Sequence, residues 1–169
     1  MFKKIKATEI KENSIKLFKE GAPICVCGTI DEHNGLTIGW GMLGSLWRKE
    51  VAIVYIKPTR YTFEYANQCE YFSIMWFDDE LKLSVNRVFG SLSGKDVNKE
   101  ELANLSLIEL DNCPCYQEAK MIITCRKIYQ APLKKENILS NDVLLMPLYN
   151  DELFHSEYIG EIVNVYIKE

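Results

Sequence analysis

Asn34-Gly-Leu-Thr-Ile-Gly-Trp-Gly-Met-Leu-Gly-Ser-Leu-Trp47, followed by Lys57-Pro-Thr-Arg-Tyr-Thr62, is the stretch whose reading decides the fold. Its first part spaces Gly35, Gly39, Gly41 and Gly44 around Trp40 and Trp47. Glycine permits positive φ and a close approach of backbone to a neighbour, and the tryptophans offer flat apolar surface. This reads as a glycine-rich aromatic turn between strands. Residues 51–56, Val-Ala-Ile-Val-Tyr-Ile, read as a buried strand. Pro58 stops it, because proline has no N–H to give to a ladder. Thr59 is then the expected N-cap of a short helix over 60–68.

A helix start presents unpaired N–H groups and a partial positive charge, which suits an anion. Lys57 adds a point charge, Arg60 a planar donor fork, and Thr59 and Thr62 add hydroxyls. A flat-ring surface beside a phosphate cradle describes a site for a nucleotide-like cofactor, and FMN fits best. The bare spacing Gly39-x-Gly41-x-x-Gly44 matches a dinucleotide fingerprint, but no strand–helix junction surrounds it, so that reading fails. Each half also has a plain structural reading, a capped helix and a turn under a core tryptophan.

Working outward, more segments of the same kind appear in order. Gly90-Ser-Leu-Ser-Gly-Lys-Asp-Val-Asn-Lys99, Tyr116-Gln-Glu-Ala119 with Cys125-Arg-Lys-Ile-Tyr129, and His155-Ser-Glu-Tyr-Ile-Gly-Glu-Ile162 follow along the chain. Together with the opening stretch they resemble the flavin reductase-like family, from about residue 23 to 162. That resemblance implies a mainly β protein with peripheral helices, an FMN-binding split β-barrel of the flavoredoxin-like kind, formed as a single domain over 1–169. It implies contacts to the flavin ring from Asn34, Thr37, Trp40, Gly41 and Met42, and to the phosphate from Lys57, Thr59, Arg60 and Thr62. Ser91, Ser93, Gly94 and Lys99 close the same end. His155, at the start of the closing segment, is the expected catalytic residue, orienting a nicotinamide or acceptor and able to donate a proton near neutral pH. NADPH or NADH is the expected electron donor, and a homodimer the expected assembly.

Composition narrows the classes. The chain has 169 residues, is 47% hydrophobic and 26% charged, and carries a net charge of −4. That suits one globular domain with a sizeable core and disfavours a broad nucleic-acid surface. No apolar run reaches the ~18 residues of a membrane span. Met1-Phe-Lys-Lys lacks a following apolar stretch of the secretory kind, so a cytoplasmic location is expected. The six cysteines, Cys25, Cys27, Cys69, Cys113, Cys115 and Cys125, are then expected to be free structural thiols rather than disulfides or metal ligands. Cys113-Pro-Cys115 reads as a turn that exposes its thiols. With only His33 and His155 there is no histidine-rich metal centre, no Ser-His-Asp set is evident, and Asp78-Asp-Glu80 reads as a helix start.

The coarse pattern favours antiparallel strands. Residues 23–30 read as a strand and 31–35 as a hairpin turn. Residues 36–38, 71–77, 107–110, 119–128 and 162–167 read as further strands, Val163, Val165 and Ile167 sharing one face. Helices are expected from Asp78 to near Gly90 and over 98–104. The lysine-rich first twenty or so residues are expected to form an edge strand or short helix over the barrel mouth. Three functions fit this frame: an NAD(P)H-dependent flavin reductase passing hydride from nicotinamide to flavin; a flavoredoxin-like electron carrier; and a non-enzymatic flavin- or haem-binding module. The acceptor is a small molecule or a protein, with no nucleic acid and no membrane as partner.

Overall fold

The computed structural model describes residues 1–169. Its strands are β1 Phe2–Ile5, β2 Ile24–Gly28, β3 His33–Thr37, β4 Gly41–Leu46, β5 Lys49–Ile56, β6 Tyr71–Trp76, β7 Leu107–Leu110, β8 Cys113–Tyr116, β9 Met121–Pro132 and β10 Ser156–Lys168. Its α-helices are α1 Ser14–Lys19, α2 Thr62–Gln68, α3 Asp79–Ser91, α4 Lys99–Ala103 and α5 Asn141–Leu144. The main sheet runs β3-β2-β6-β9-β10-β5-β4, with β1 added to β10 and every pairing antiparallel. The sheet does not close on itself, so it is a split barrel, with β3 and β4 at its two ends. No helix is long and apolar enough to cross a membrane.

Strands β2, β6 and β9 are apolar on both faces because both faces are covered. Cys25, Cys27, Phe72, Ile74, Trp76, Met121, Ile123 and Cys125 point into the barrel, where Leu17 and Phe18 of α1 close one end. Ile24, Val26, Met75 and Ile122 point outward beneath Val85 and Phe89 of α3 and the β7–β8 hairpin. Trp76 is 1% exposed, and its indole N–H is satisfied by the Leu17 carbonyl at 2.8 Å. β10 bends around the barrel through irregularities at Ile159/Gly160 and Ile162/Asn164. A Cβ at Gly160 would lie 2.6 Å from both Cys125 Cβ and the Phe72 ring, so only glycine lets these strands cross so closely.

The structure revises several local expectations. The hairpin turn expected over 31–35 comes earlier, closed by Thr29 N–H to Glu32 O at 2.8 Å, with Gly28 at φ 121°. Asn34 and Gly35 are already in β3, paired with Cys27 and Val26. The supposed aromatic turn over 34–47 is mostly strand, and its hairpin tip is Trp47-Arg48, at φ 51° and 61°. Cys113-Pro-Cys115 is strand, and the turn before it is Asp111-Asn112, at φ 50° and 62°. Asp and Asn adopt that left-handed conformation more readily than other side chains. The strand expected over 119–128 runs as Met121–Pro132, and the one expected over 162–167 begins at Ser156. The bulge at Ile162/Asn164 breaks the alternation, leaving Val163 at 41% exposure while Val165 is buried. Both N-terminal alternatives occur: β1 is an edge strand on β10, and α1 is a short helix whose Leu17 and Phe18 close one end of the barrel.

Candidate functional site

Two adjoining cavities lie where β3, the β5–α2 turn and the end of α3 meet. One, of about 150 Å³, is lined by Asn34, Thr59, Arg60, Thr62, Ser91, Ser93, Gly94 and Lys99, among others. The other, of about 240 Å³, is lined by Gly39, Trp40, Tyr55, Lys57, Leu148 and His155, and shares Leu36, Thr37 and Arg60 with the first. A larger cleft of about 600 Å³ lies elsewhere, between α1, the start of α3 and the ends of β9 and β10. Its rim mixes acids and lysines, among them Glu12, Asp78, Lys82 and Lys120, and presents no single chemistry.

The smaller cavity is a donor-rich pocket. Arg60 makes no ion pair with any carboxylate of the chain. The backbone amides of Thr59, Tyr61 and Thr62 hydrogen-bond to nothing in the chain. Thr59 does not cap α2: the helix starts at Thr62, with Tyr61 before it in helical conformation and no side-chain cap. The unpaired amides of the turn therefore replace the expected cap geometry. Lys99 is 4% exposed and donates to the Gly35 carbonyl at 2.9 Å. Burial lowers its pKa to about 8, with Glu100 opposing and Arg60 reinforcing the shift. Thr62 accepts a 2.6 Å hydrogen bond from the Asn34 amide. A Cβ at Gly94 would lie 2.0 Å from Asn34 Oδ1, so the glycine makes room for that amide. Ser93 Oγ accepts from Lys95 N at 3.2 Å, turning the loop that carries Gly94 on from Ser91 at the end of α3. Thr37 donates to Asn86 of α3 at 2.8 Å, which fixes the seam between the cavities.

The larger cavity is bounded by the excursion over 133–155 that joins β9 to β10. Lys57 Nζ donates to the Leu148 carbonyl and, at 2.7 Å, to Asp151 Oδ2. Its charge is thus engaged by the excursion, whereas the sequence suggested a free point charge for a phosphate. Asp151 is held below the usual carboxylate range by the Lys57 hydrogen bond. His155 packs on Trp40, ring centroids 4.5 Å apart at 43°, and its Nδ1 is 3.0 Å from the Tyr149 hydroxyl. Burial, then the charges of Lys57 and Arg60, push the His155 pKa down to about 4, against the opposing pull of Asp151. The expected proton donor near neutral pH is corrected to a neutral imidazole.

Gly41 and Met42 line neither cavity. A Cβ at Gly41 would lie 2.3 Å from the Phe18 ring, so this glycine serves the barrel core. Met42 is on β4 opposite Ile53 and 46% exposed. Trp47 is 61% exposed at its hairpin tip, away from both cavities. Cys113 and Cys115 are wholly buried, and burial raises both thiol pKa values. No group of three or more His, Cys, Asp or Glu side chains is arranged to hold a metal. Sequence reading missed Tyr55, Leu148, Tyr149 and Asp151. The last three lie just upstream of His155 in the chain, and that adjacency was the signal available.

The chain belongs to the flavin reductase like domain family, whose pattern matches residues 17–169. No curated protein matches it. Among solved structures, it is similar to a flavoredoxin from Methanosarcina acetivorans, at 17% identity and a TM-score of 0.67, over 87% of this chain and 68% of that one. It is similar to an FMN-binding domain of a flavin reductases-like enzyme from Shewanella baltica, at 15% identity and a TM-score of 0.68, over 99% and 77%. It is also similar to an NADH:FAD oxidoreductase from Streptomyces globisporus, at 12% identity and a TM-score of 0.66, over 88% and 75%. At these identities the likeness shows a shared fold.

Proposed function

We propose that this protein is an FMN-binding flavoprotein, an NAD(P)H-dependent flavin reductase or closely related oxidoreductase. The observation that carries the reading is Arg60, a cation without a carboxylate partner, beside the unpaired amides of Thr59, Tyr61 and Thr62. Such a donor set is suited to a phosphate dianion. Thr59 and Thr62 add hydroxyls, and Lys99 adds a buried cation to the lining. The residues present therefore fit the phosphate and ribityl part of FMN. Asn34 and Thr37 carry the wall toward the second cavity, where Trp40 and His155 offer flat surfaces for a ring. Bound FMN supplies the redox chemistry, and the protein supplies placement and electrostatics.

In this reading Arg60 serves both cavities, as the anchor of the phosphate and as fixed positive charge beside the ring. The neutral His155 orients the nicotinamide or acceptor by hydrogen bonding, and does not act as an acid. The expected partners are NADPH or NADH as donor and a small molecule or protein as acceptor, in a cytoplasmic setting. A flavoredoxin-like carrier is the second reading; the similarity to the archaeal flavoredoxin supports it at the level of fold. The visible spectrum of the purified protein tests flavin binding. Addition of NADPH, then NADH, without air separates the two readings. Rapid bleaching is expected; bound flavin that neither nucleotide bleaches would leave the carrier.

A further inference from the structure

We propose that Tyr149 is a positioning residue that holds His155 as its Nε2–H tautomer, so that the ring offers a hydrogen-bond donor to the larger cavity. The ligand group received there is a hydrogen-bond acceptor: a carbonyl or carboxamide oxygen on a ring. This last step rests on the reading of that cavity as the place where the reacting ring lies.

The argument starts from hydrogens. Tyr149 is 5% exposed, and its hydroxyl has one acceptor within hydrogen-bond reach, His155 Nδ1 at 3.0 Å. If Nδ1 carried the imidazole proton, the phenol hydrogen would be left without an acceptor in a buried place. If the phenol donates to Nδ1, both groups are satisfied and the imidazole proton sits on Nε2. Nε2 makes no hydrogen bond within the chain and is not among the buried orphaned atoms, while the His155 ring lines the larger cavity.

The geometry holds this arrangement from three sides. The His155 ring packs on Trp40, and its backbone carbonyl accepts from Leu133 N at 2.8 Å. Tyr149 stacks on Phe154, centroids 4.5 Å apart at 29°, and meets His155 edge-on at 86°. Lys57 binds the residues on either side of Tyr149, through the Leu148 carbonyl and Asp151, with its ammonium 6.0 Å from the Tyr149 ring centroid. The charged and titratable groups facing His155 are Lys57, Arg60, Asp151, Tyr149 and, across the cavity, Tyr55. Burial, with two cations against one carboxylate, keeps the imidazole neutral, so its tautomer decides whether it donates or accepts.

The test is a nitrogen-15 NMR measurement of the imidazole in the full-length protein at pH 7 without added cofactor. His33→Gln removes the one other imidazole signal. The expected result is an Nε2–H tautomer favoured about tenfold or more, the scale of one buried hydrogen bond, with no titration between about pH 5 and 8. Tyr149→Phe keeps the ring stacked on Phe154 and is expected to bring the two tautomers to within a few-fold of each other. A predominant Nδ1–H form in the parent protein overturns the proposal. So does an unchanged tautomer ratio in Tyr149→Phe. With FMN bound, the same variant is expected to raise the KM for the nicotinamide donor more than it lowers kcat; the reverse split overturns the orienting role. A protein that binds no FMN would overturn the flavin reading, yet the tautomer measurement would still decide the role of Tyr149.

Discussion

Arg60 stands at the seam of two cavities with no carboxylate to neutralise it, which makes it the residue whose loss is most selective. Arg60→Ala is expected to weaken FMN by about 1.5–3 kcal/mol, the scale of a hydrogen bond to a charged group, and riboflavin much less. Fluorescence titration of both ligands measures it, and equal losses would remove the phosphate from the argument. Gly94 acts one step further back. In Gly94→Ala the new Cβ must displace the Asn34 amide and with it the buried 2.6 Å bond to Thr62, so FMN affinity is expected to fall along with stability, by about 1–3 kcal/mol, measured by titration and chemical denaturation. Arg60 and Thr62 were legible in the sequence as part of a donor-rich turn, and Gly94 and Lys99 entered through the family resemblance. The charge state of His155 was not legible, because it is set by burial and by Lys57 and Arg60, which come to it from another part of the chain.

At the scale of the element, β4 shows why a glycine pattern is ambiguous. Glycine announces a close approach without saying to what. At Gly41 the close neighbours are the Phe18 ring and the Ile53 carbonyl, the latter 2.8 Å from a built Cβ. Gly41→Ala is therefore expected to destabilise the fold by about 1–3 kcal/mol, as overpacking does. Chemical denaturation measures that loss; an unchanged midpoint would mean that α1 moves aside without cost. Gly39 and Gly44 have open space where a Cβ would stand, so the same spacing carries no common role. The Cys113-Pro-Cys115 segment makes a parallel point. Read locally, proline suggests a turn, yet β8 lies against β6, where Ser73 donates to the Pro114 carbonyl at 2.6 Å. The turn moved to Asp111-Asn112, and the thiols went into the core.

For the whole molecule, His155 and Glu100 contribute to the response to acid, beside Asp111, where burial is outweighed by hydrogen bonds from Asn164, Thr124 and Tyr166 that lower the carboxyl pKa. Burial alone would raise Glu100, but hydrogen bonds to His33 and Tyr116 outweigh it and bring its pKa down to about 2 from 4.5. A carboxylate with a depressed folded pKa stabilises above its unfolded value and loses that contribution as pH falls through the folded one. His155, depressed to about 4 from 6.5, binds a proton more readily in the unfolded chain, so it too favours unfolding as pH falls. Melting temperature is expected to decline from about pH 6.5 to 4 through His155 and on toward 2 through Glu100. His155→Gln should flatten the upper part of that decline and Glu100→Gln the lower; a profile unaltered by either variant would contradict these assignments. The second expectation is a homodimer. Met42, Ile53, Ile159 and Tyr129 form one cross-strand row, Ile159 buried within it and Met42 and Tyr129 exposed at its ends, and Trp47 packs edge-on against Tyr129 at 6.4 Å. Met42 and Tyr129 are 46% and 42% exposed, an unusual amount of apolar surface for a strand face facing water. Light scattering is expected to give twice the chain mass, and Met42→Lys to shift it toward monomer. A monomer mass with FMN bound would reject the assembly.

The order of apolar strands, the proline after β5 and the donor-rich turn at 57–62 were properties of the sequence by itself, and they pointed to an antiparallel barrel with an anion site; the split barrel and its family came from the resemblance carried by the ordered motifs from about residue 23 to 162. These are local facts: alternation, breakers and residue chemistry act over a few positions. Only the tertiary structure decided which glycines face the core, that the Lys57 charge is engaged by Asp151, that His155 is neutral, and that Tyr149 stands against it. The first three depend on groups far apart in the chain, and even the Tyr149–His155 contact, six residues apart, depends on how the excursion before β10 folds back, because sequence carries no measure of the burial and electrostatic field that folding creates.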